Sequence, residues 1–198
     1  MKKTLLSTLI LATLGMASAV ASAQENPWMV RVRAVNVEWD NSGSAGKEGG
    51  GSVWAKDKTI PEVDISYFFN KNLAAELVLT YPQNVDIYSG STKLGHVKAL
   101  PPSLLLQYHF TNFGQLKPYV GAGVNLTLFS RRDQLAGNNY VERSSIGYAV
   151  QTGVDYMIDK HWGVNLDVKY LQIDTKVTGG NLLKLNPVTA GVGVTYKF

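Results

Sequence analysis

The sequence contains no cysteine, which removes disulfide stapling and thiolate metal sites from consideration. Histidine is scarce: His96, His109 and His161 fall in three different segments without metal-ligand spacing. No Ser/His/Asp order, nucleophile elbow or paired-carboxylate motif stands out, so no catalytic residue, metal or cofactor is expected and the chain is read as a non-enzyme. Gly121-Ala122-Gly123 lacks the lysine and helix of a phosphate loop and is read as small residues packed within a strand. Long hydrophobic runs are also missing. After the first residues, charges, glycine or proline interrupt every window before the roughly 18 to 20 apolar residues that a membrane helix needs. Clustered charge is absent too: the formal net charge of +4 is scattered, with Arg131-Arg132 the densest basic site, and no nucleic-acid partner is expected.

What is present begins with Met1-Lys2-Lys3, an apolar stretch from Leu5 to Met16, and a small-residue run closing on Ala21-Ser22-Ala23. That is the form of a cleaved secretory signal peptide with an A-x-A site. Residues 1–23 are therefore set apart, and residues 24–198 form one domain of about 175 residues.

From Trp28 onward the period is two. Eight segments alternate in this way, over 28–39, 59–69, 73–81, 97–110, 117–130, 144–157, 161–173 and 184–198. The breaks between them are by turns long (40–58, 82–96, 131–143, 174–183) and short (70–72, 111–116, 158–160). This predicts an all-β, eight-stranded antiparallel up-and-down transmembrane β-barrel in the outer membrane of a Gram-negative bacterium, with both termini in the periplasm. The faces agree. Leu104, Leu106, Tyr108 and Phe110 alternate with Ser103, Leu105, Gln107 and His109, and Trp162, Val164, Leu166, Val168 and Tyr170 alternate with Asn165, Asp167 and Lys169. A soluble barrel would have to hold the aromatic rows inside, and eight strands enclose too little room. Tyr67, Phe69, Tyr108, Phe110, Tyr156, Trp162, Tyr196 and Phe198 adjoin the short turns and form an aromatic girdle at the inner lipid interface. The last strand resembles the C-terminal signal read by the barrel assembly machinery and ends on Phe198. Arg131-Arg132 is placed in a solvated loop facing lipopolysaccharide phosphates.

The same phase assigns the lumen. Arg31, Arg33, Glu76, Gln107, His109, Gln151, Asp155, Asn165, Asp167 and Lys169 point inward nearer the periplasm, where opposite charges must pair because an unpaired buried charge costs several kcal/mol. A polar plug, not an open pore, is expected. Val35, Val37, Trp39, Val78, Leu105, Phe129, Leu171, Ile173 and Leu185 point inward above it, making an apolar cavity that opens to the cell surface. The alternative is a bulge near Ala34-Val35 that turns Val37 and Trp39 out to lipid. Pro61, Pro82, Pro101, Pro102 and Pro187 fall at outer strand ends. They either simply terminate strands, since proline donates no ladder bond, or mark a lateral opening near Pro82 and Pro101-Pro102.

Leu100-Pro101-Pro102-Ser103-Leu104 with Gln107-Tyr108, Pro118-Tyr119-Val120-Gly121-Ala122-Gly123-Val124-Asn125, Gln151-Thr152-Gly153-Val154-Asp155-Tyr156 and the aromatic end after Pro187 resemble the outer membrane protein W (OmpW) family. The similarity is weakest from Asn41 to Lys58. It implies an eight-stranded barrel with a hydrophobic lumen that passes small hydrophobic molecules, with alkane-uptake and colicin-receptor relatives. Trp54 and Leu171 are candidates for the residues that narrow such a channel. The expected function is passive passage of small apolar solutes, which meet Trp39, Leu105, Phe129 and Leu171, stop at the plug and leave sideways into lipid. The alternative is a structural or adhesive barrel whose loops bind colicin, lipopolysaccharide or host surfaces. A barrel protease or acyltransferase would need a catalytic grouping at the outer rim that the sequence does not display.

Overall fold

The computed structural model describes residues 26–39, 53–89, 92–130, 143–176 and 182–198. Residues 1–23, expected to be a signal peptide, and Arg131-Arg132 lie outside them. Thirteen strands run in chain order: β1 (Trp28–Glu38), β2 (Val53–Ala55), β3 (Lys58–Phe68), β4 (Leu73–Thr80), β5 (Gln83–Ser89), β6 (Thr92–Leu100), β7 (Ser103–His109), β8 (Leu116–Ser130), β9 (Ser144–Met157), β10 (Trp162–Leu171), β11 (Asp174–Lys176), β12 (Leu182–Lys184) and β13 (Val188–Lys197). Eight of them close a ring by antiparallel pairing in the order β1, β3, β4, β7, β8, β9, β10, β13 and back to β1. Closure leaves no sheet edge in lipid, where an unpaired backbone group costs several kcal/mol.

Alternation fixes what faces lipid. Leu104 and Leu166 are 53% and 57% exposed, while Leu105, one residue along, is 1% exposed. The bulky residues expected outside do stand outside, Val164, Val168, Leu106, Val192 and Val194 among them. At the short-turn end their aromatic neighbours meet edge to face: Trp28 with Tyr67, Tyr67 with Phe69, Tyr108 with Phe110, and Trp162 and Phe198 with Tyr196, centroids 4.8–5.5 Å apart. Such rings, with apolar bodies and polar tips, suit the lipid–water boundary.

Three of the breaks expected to be long loops contain strand. Residues 83–89 and 92–100 pair as β5 and β6 with a register shift at Ile87/Tyr88, β2 pairs with β5, and β11–β12 is a separate ribbon. Beyond the lipid the outer face of a ribbon meets water and needs no bulky apolar row, so the apolar–polar contrast that announces the membrane strands fades there even though Val85 and Ala99 turn inward. The expected eighth segment, 184–198, is also interrupted, because Asn186 takes a positive φ of +21° ahead of Pro187 and β13 starts only at Val188.

Candidate functional site

The lumen is built in two layers. Below, toward the short turns, lie three buried cations, Arg31, Arg33 and Lys169, and five buried carboxyl groups, Glu62, Asp64, Glu76, Asp155 and Asp167. Register puts Arg31 directly beside Asp64, Arg33 beside Glu62, and Asn165 beside Asp155. Arg31 forks onto Asp155, Nε to Oδ1 at 3.0 Å and Nη2 to Oδ2 at 2.7 Å, while its Nη1 reaches Asp64 at 3.2 Å and Glu76 at 3.1 Å. This two-pronged geometry is what a guanidinium offers and an ammonium does not. Arg33 donates from Nε to Glu62 at 3.1 Å, while its Nη2 lies 3.0 Å from Glu62 and 2.5 Å from Asp64, both ionic contacts without hydrogen-bond alignment. Lys169 Nζ donates to both oxygens of Glu62 at 3.1 and 3.2 Å.

Tyr119 ties the layer together. Its hydroxyl donates to Asp167 at 2.8 Å and accepts from Asn165 at 3.1 Å, and the Arg31 guanidinium sits 4.8 Å from its ring centroid. Gln151 donates to the same Asp167 oxygen at 2.7 Å and accepts from Gln107 at 3.3 Å, and His109 Nε2 lies 2.9 Å from Gln107. Space for these long side chains comes from glycines on the facing strands. A Cβ on Gly153 would run into the Tyr119 phenol, and one on Gly193 would meet Arg33 and the Val32 carbonyl. Within the layer Arg33 Nη2, Asp64 Oδ2 and Glu76 Oε2 are buried without an aligned hydrogen bond, so these groups are held by charge pairing.

Above the plug the interior turns apolar. Val78, Val85, Ala99, Leu105, Phe129, Ala149, Leu171, Ile173 and Leu185 form one buried cluster, Val35, Val37 and Ile60 another, and half-buried Trp39 packs against both. Pairing of β1 with β13 and β3 continues unbroken to Val37 and beyond. The alternative bulge at Ala34-Val35 therefore does not occur, and Val37 stays inside. Between the clusters is a cavity of about 40 Å3, with Glu62, Ser103 and Lys169 among its polar lining and Val35, Val37, Trp39, Val78 and Leu171 among its apolar lining. That is room for roughly three water-sized atoms. The backbone of Trp54 pairs with Tyr88 in β2; its side chain lies outside the described residues.

The wall beside this cavity is interrupted. The β4–β7 ladder ends at Val78↔Ser103 and the β5–β6 ladder begins at Gln83↔Ala99, so four residues, Leu79 to Pro82, face three, Leu100 to Pro102, without a ladder pair. On the other side the β3–β4 ladder stops at Glu62↔Thr80, one residue short of Pro61. Proline supplies no N–H at any of these places. Pro101, Thr80 and the exposed Asn84 all line the cavity, which thus reaches the interruption.

Sequence phase places Arg31, Arg33, Glu76, Gln107, Asp155, Asp167 and Lys169 in one layer and Val35, Val37, Trp39, Val78, Leu105, Phe129 and Leu171 in the other, and the structure holds them there. Glu62, Asp64 and Tyr119 belong to the plug and were not assigned to it. The two acids lie on the polar face of their segment, and Tyr119 shares the parity of Asn125, Thr127 and Phe129, so the signal was available in each case. The candidate loop contacts between 40 and 52 and between 131 and 142 fall outside the described residues.

Comparison with known proteins bears on the whole barrel. The OmpW family matches residues 24–198. An uncharacterized outer-membrane protein, y4mB, of Sinorhizobium fredii is 42% identical over 94% of this chain and 84% of its own length. The dibenzothiophene metabolism operon protein PahQ of Pseudomonas aeruginosa is 28% identical over 79% of this chain and 78% of its own. The crystal structure of outer membrane protein OprG from Pseudomonas aeruginosa superposes with a TM-score of 0.72 at 30% identity, covering 88% of this chain and 97% of that one.

Proposed function

Because the chain belongs to the OmpW family and is an integral outer-membrane barrel, we propose that it gives small apolar solutes a passive route from the cell surface into the membrane. The observation that carries this is an apolar cup closed below by an ion-paired plug and bordered by an interrupted wall. Solute descends to Trp39, Leu105, Phe129 and Leu171, is refused by the charged layer, and passes sideways between Leu79–Pro82 and Leu100–Pro102. The polar floor rejects apolar surface because it would strip charged groups of their partners. Burying solute surface contributes roughly 25 cal/mol per Å2, which suits weak, broad selection and rapid release.

The small free volume means that a hydrocarbon is admitted only as Trp39, packed against two clusters but half-exposed, swings aside. The relative named for a dibenzothiophene metabolism operon fits an apolar aromatic class of solute. The reading involves no catalysis or cofactor. It leaves lipopolysaccharide as the neighbour of the outer rim and Phe198 as the end offered to the assembly machinery.

The test is uptake of a small hydrophobic tracer into liposomes holding the refolded barrel. Wild type speeds uptake, and Leu105→Asp and Phe129→Asp abolish the gain while heat-modifiable mobility persists. Pro82→Val with Pro102→Val, which lets ladder bonds close the wall, slows it. Equal uptake in all of these variants overturns the proposal.

A further inference from the structure

A second cavity, of about 340 Å3, opens at the short-turn end of the barrel. It shares no lining residue with the apolar cup and lies on the other side of the plug, so the uptake route does not use it. Met29 is buried at its floor, with Phe68, Met157 and His109 beside it. Four lysines ring it: Lys71 and Lys160 on the turns, Lys117 at the start of β8 and Lys197 at the end of β13.

Its two carboxylates are both engaged by other groups. Asp155 is held by Arg31, Asn165 and Thr195. Asp159 accepts the backbone N–H groups of His161 and Trp162, each at 2.7 Å. Lys117 donates to the Thr111 carbonyl, a neutral partner, at 3.2 Å, and Lys197 lies 5.7 Å from the Phe68 ring centroid. Lys71, Lys117 and Lys160 stand at the rim against one exposed carboxylate, Asp159; a concave site with an excess of one sign of charge concentrates ions of the other sign, and a floor of thioethers and a phenyl ring adapts to irregular apolar shapes.

We propose that this cup binds small amphipathic anions from the periplasm, a carboxylate or phosphate monoester bearing a short alkyl or aryl group. The anionic head sits among Lys71, Lys117 and Lys160, and the apolar part rests on Met29, Phe68 and Met157. The barrel thus has two ligand sites of different chemistry, one on each side of its plug.

The sequence supplies its own reporter. Met29 and Met157 are the only methionines after residue 23, and both line the cup. With 13C-methyl methionine and the barrel in phosphatidylcholine nanodiscs, hexyl phosphate shifts both methyl resonances saturably. Hexanol and inorganic phosphate each bind roughly tenfold more weakly, and Lys71→Gln with Lys160→Gln weakens hexyl phosphate by about the same factor. Both lysines are exposed on turns, so the variant keeps the fold. Equal binding of hexanol, equal binding of inorganic phosphate, or an unchanged affinity in the double variant overturns the proposal. So does occupancy by phosphatidylglycerol added to the nanodisc, which would assign the site to a lipid headgroup.

Discussion

Replacing Arg31 with methionine removes the charged centre of the plug while keeping an unbranched stem in its place. The guanidinium is fully buried and meets three carboxylates, Asp64, Glu76 and Asp155, at 2.7–3.2 Å. Taking away one partner of a buried ion pair costs about 3–5 kcal/mol, because the surviving charge has neither water nor counter-ion. Here three acids survive in a layer that already holds five carboxyl groups against three cations. Part of the cost is relieved by proton uptake, so the expected loss is about 4 kcal/mol. Equilibrium unfolding by guanidinium in short-chain phosphatidylcholine vesicles, followed by tryptophan fluorescence and by heat-modifiable mobility, measures it. Adding Asp155→Asn to Arg31→Met should recover part of the loss, since the double variant strands one charge fewer; a coupling of about 1–3 kcal/mol is expected for side chains in one network. A loss below about 1 kcal/mol for Arg31→Met, or no coupling to Asp155, would refute the view that the plug is held by mutual compensation.

Leu166→Arg places a charge on the lipid face of β10, four residues above the Trp162 girdle, which at about 3.4 Å per residue is near the bilayer centre. It should cost about 2–4 kcal/mol in the same unfolding assay, and a cost under about 0.5 kcal/mol would place that face away from lipid. Asp159 offers a pH test outside the membrane, because the two backbone N–H bonds from Trp162 and His161 hold its carboxyl below the usual carboxylate range. With the folded value depressed, the turn's stabilisation is complete above the unfolded value near 3.9 and is lost as pH falls through the lower folded one. The His161 and Trp162 amide resonances should titrate with a midpoint below about 3.9, and a midpoint at or above it would show that those bonds do not favour the charged form.

Much of the barrel could be read from the chain because lipid imposes a strict contrast on alternate residues. Leu104 against Leu105 shows where even that contrast fails, since both are leucine and only their neighbours' parity separates lipid from lumen. Tyr119 shows a different failure. An aromatic near a short turn suggests the girdle, yet this one turns inward with the parity of Phe129; what local pattern does not show is the room that Gly153 on the next strand leaves for it. The β5–β6 hairpin was missed because its outer face carries Asn84, Asp86 and Lys98 where a membrane strand carries bulky apolar residues, while its inward face mixes Gln83 with Val85. The interrupted wall depends on a count, four residues against three, that arises only once two ladders are in register.

The strict alternation of the wall also bears on how such a chain reaches its destination. Its mean hydropathy is −0.05, and each lipid-facing residue of a spanning strand is followed by a side chain destined for the lumen. A continuous apolar helix of about 20 residues would be retained by the first bilayer it met. These strands carry the same kind of surface in halves that have no common face until the chain is extended and paired. Affinity for lipid is therefore created by folding itself, and an unfolded chain can cross the inner membrane as an ordinary polar passenger before becoming insoluble in water at the outer one.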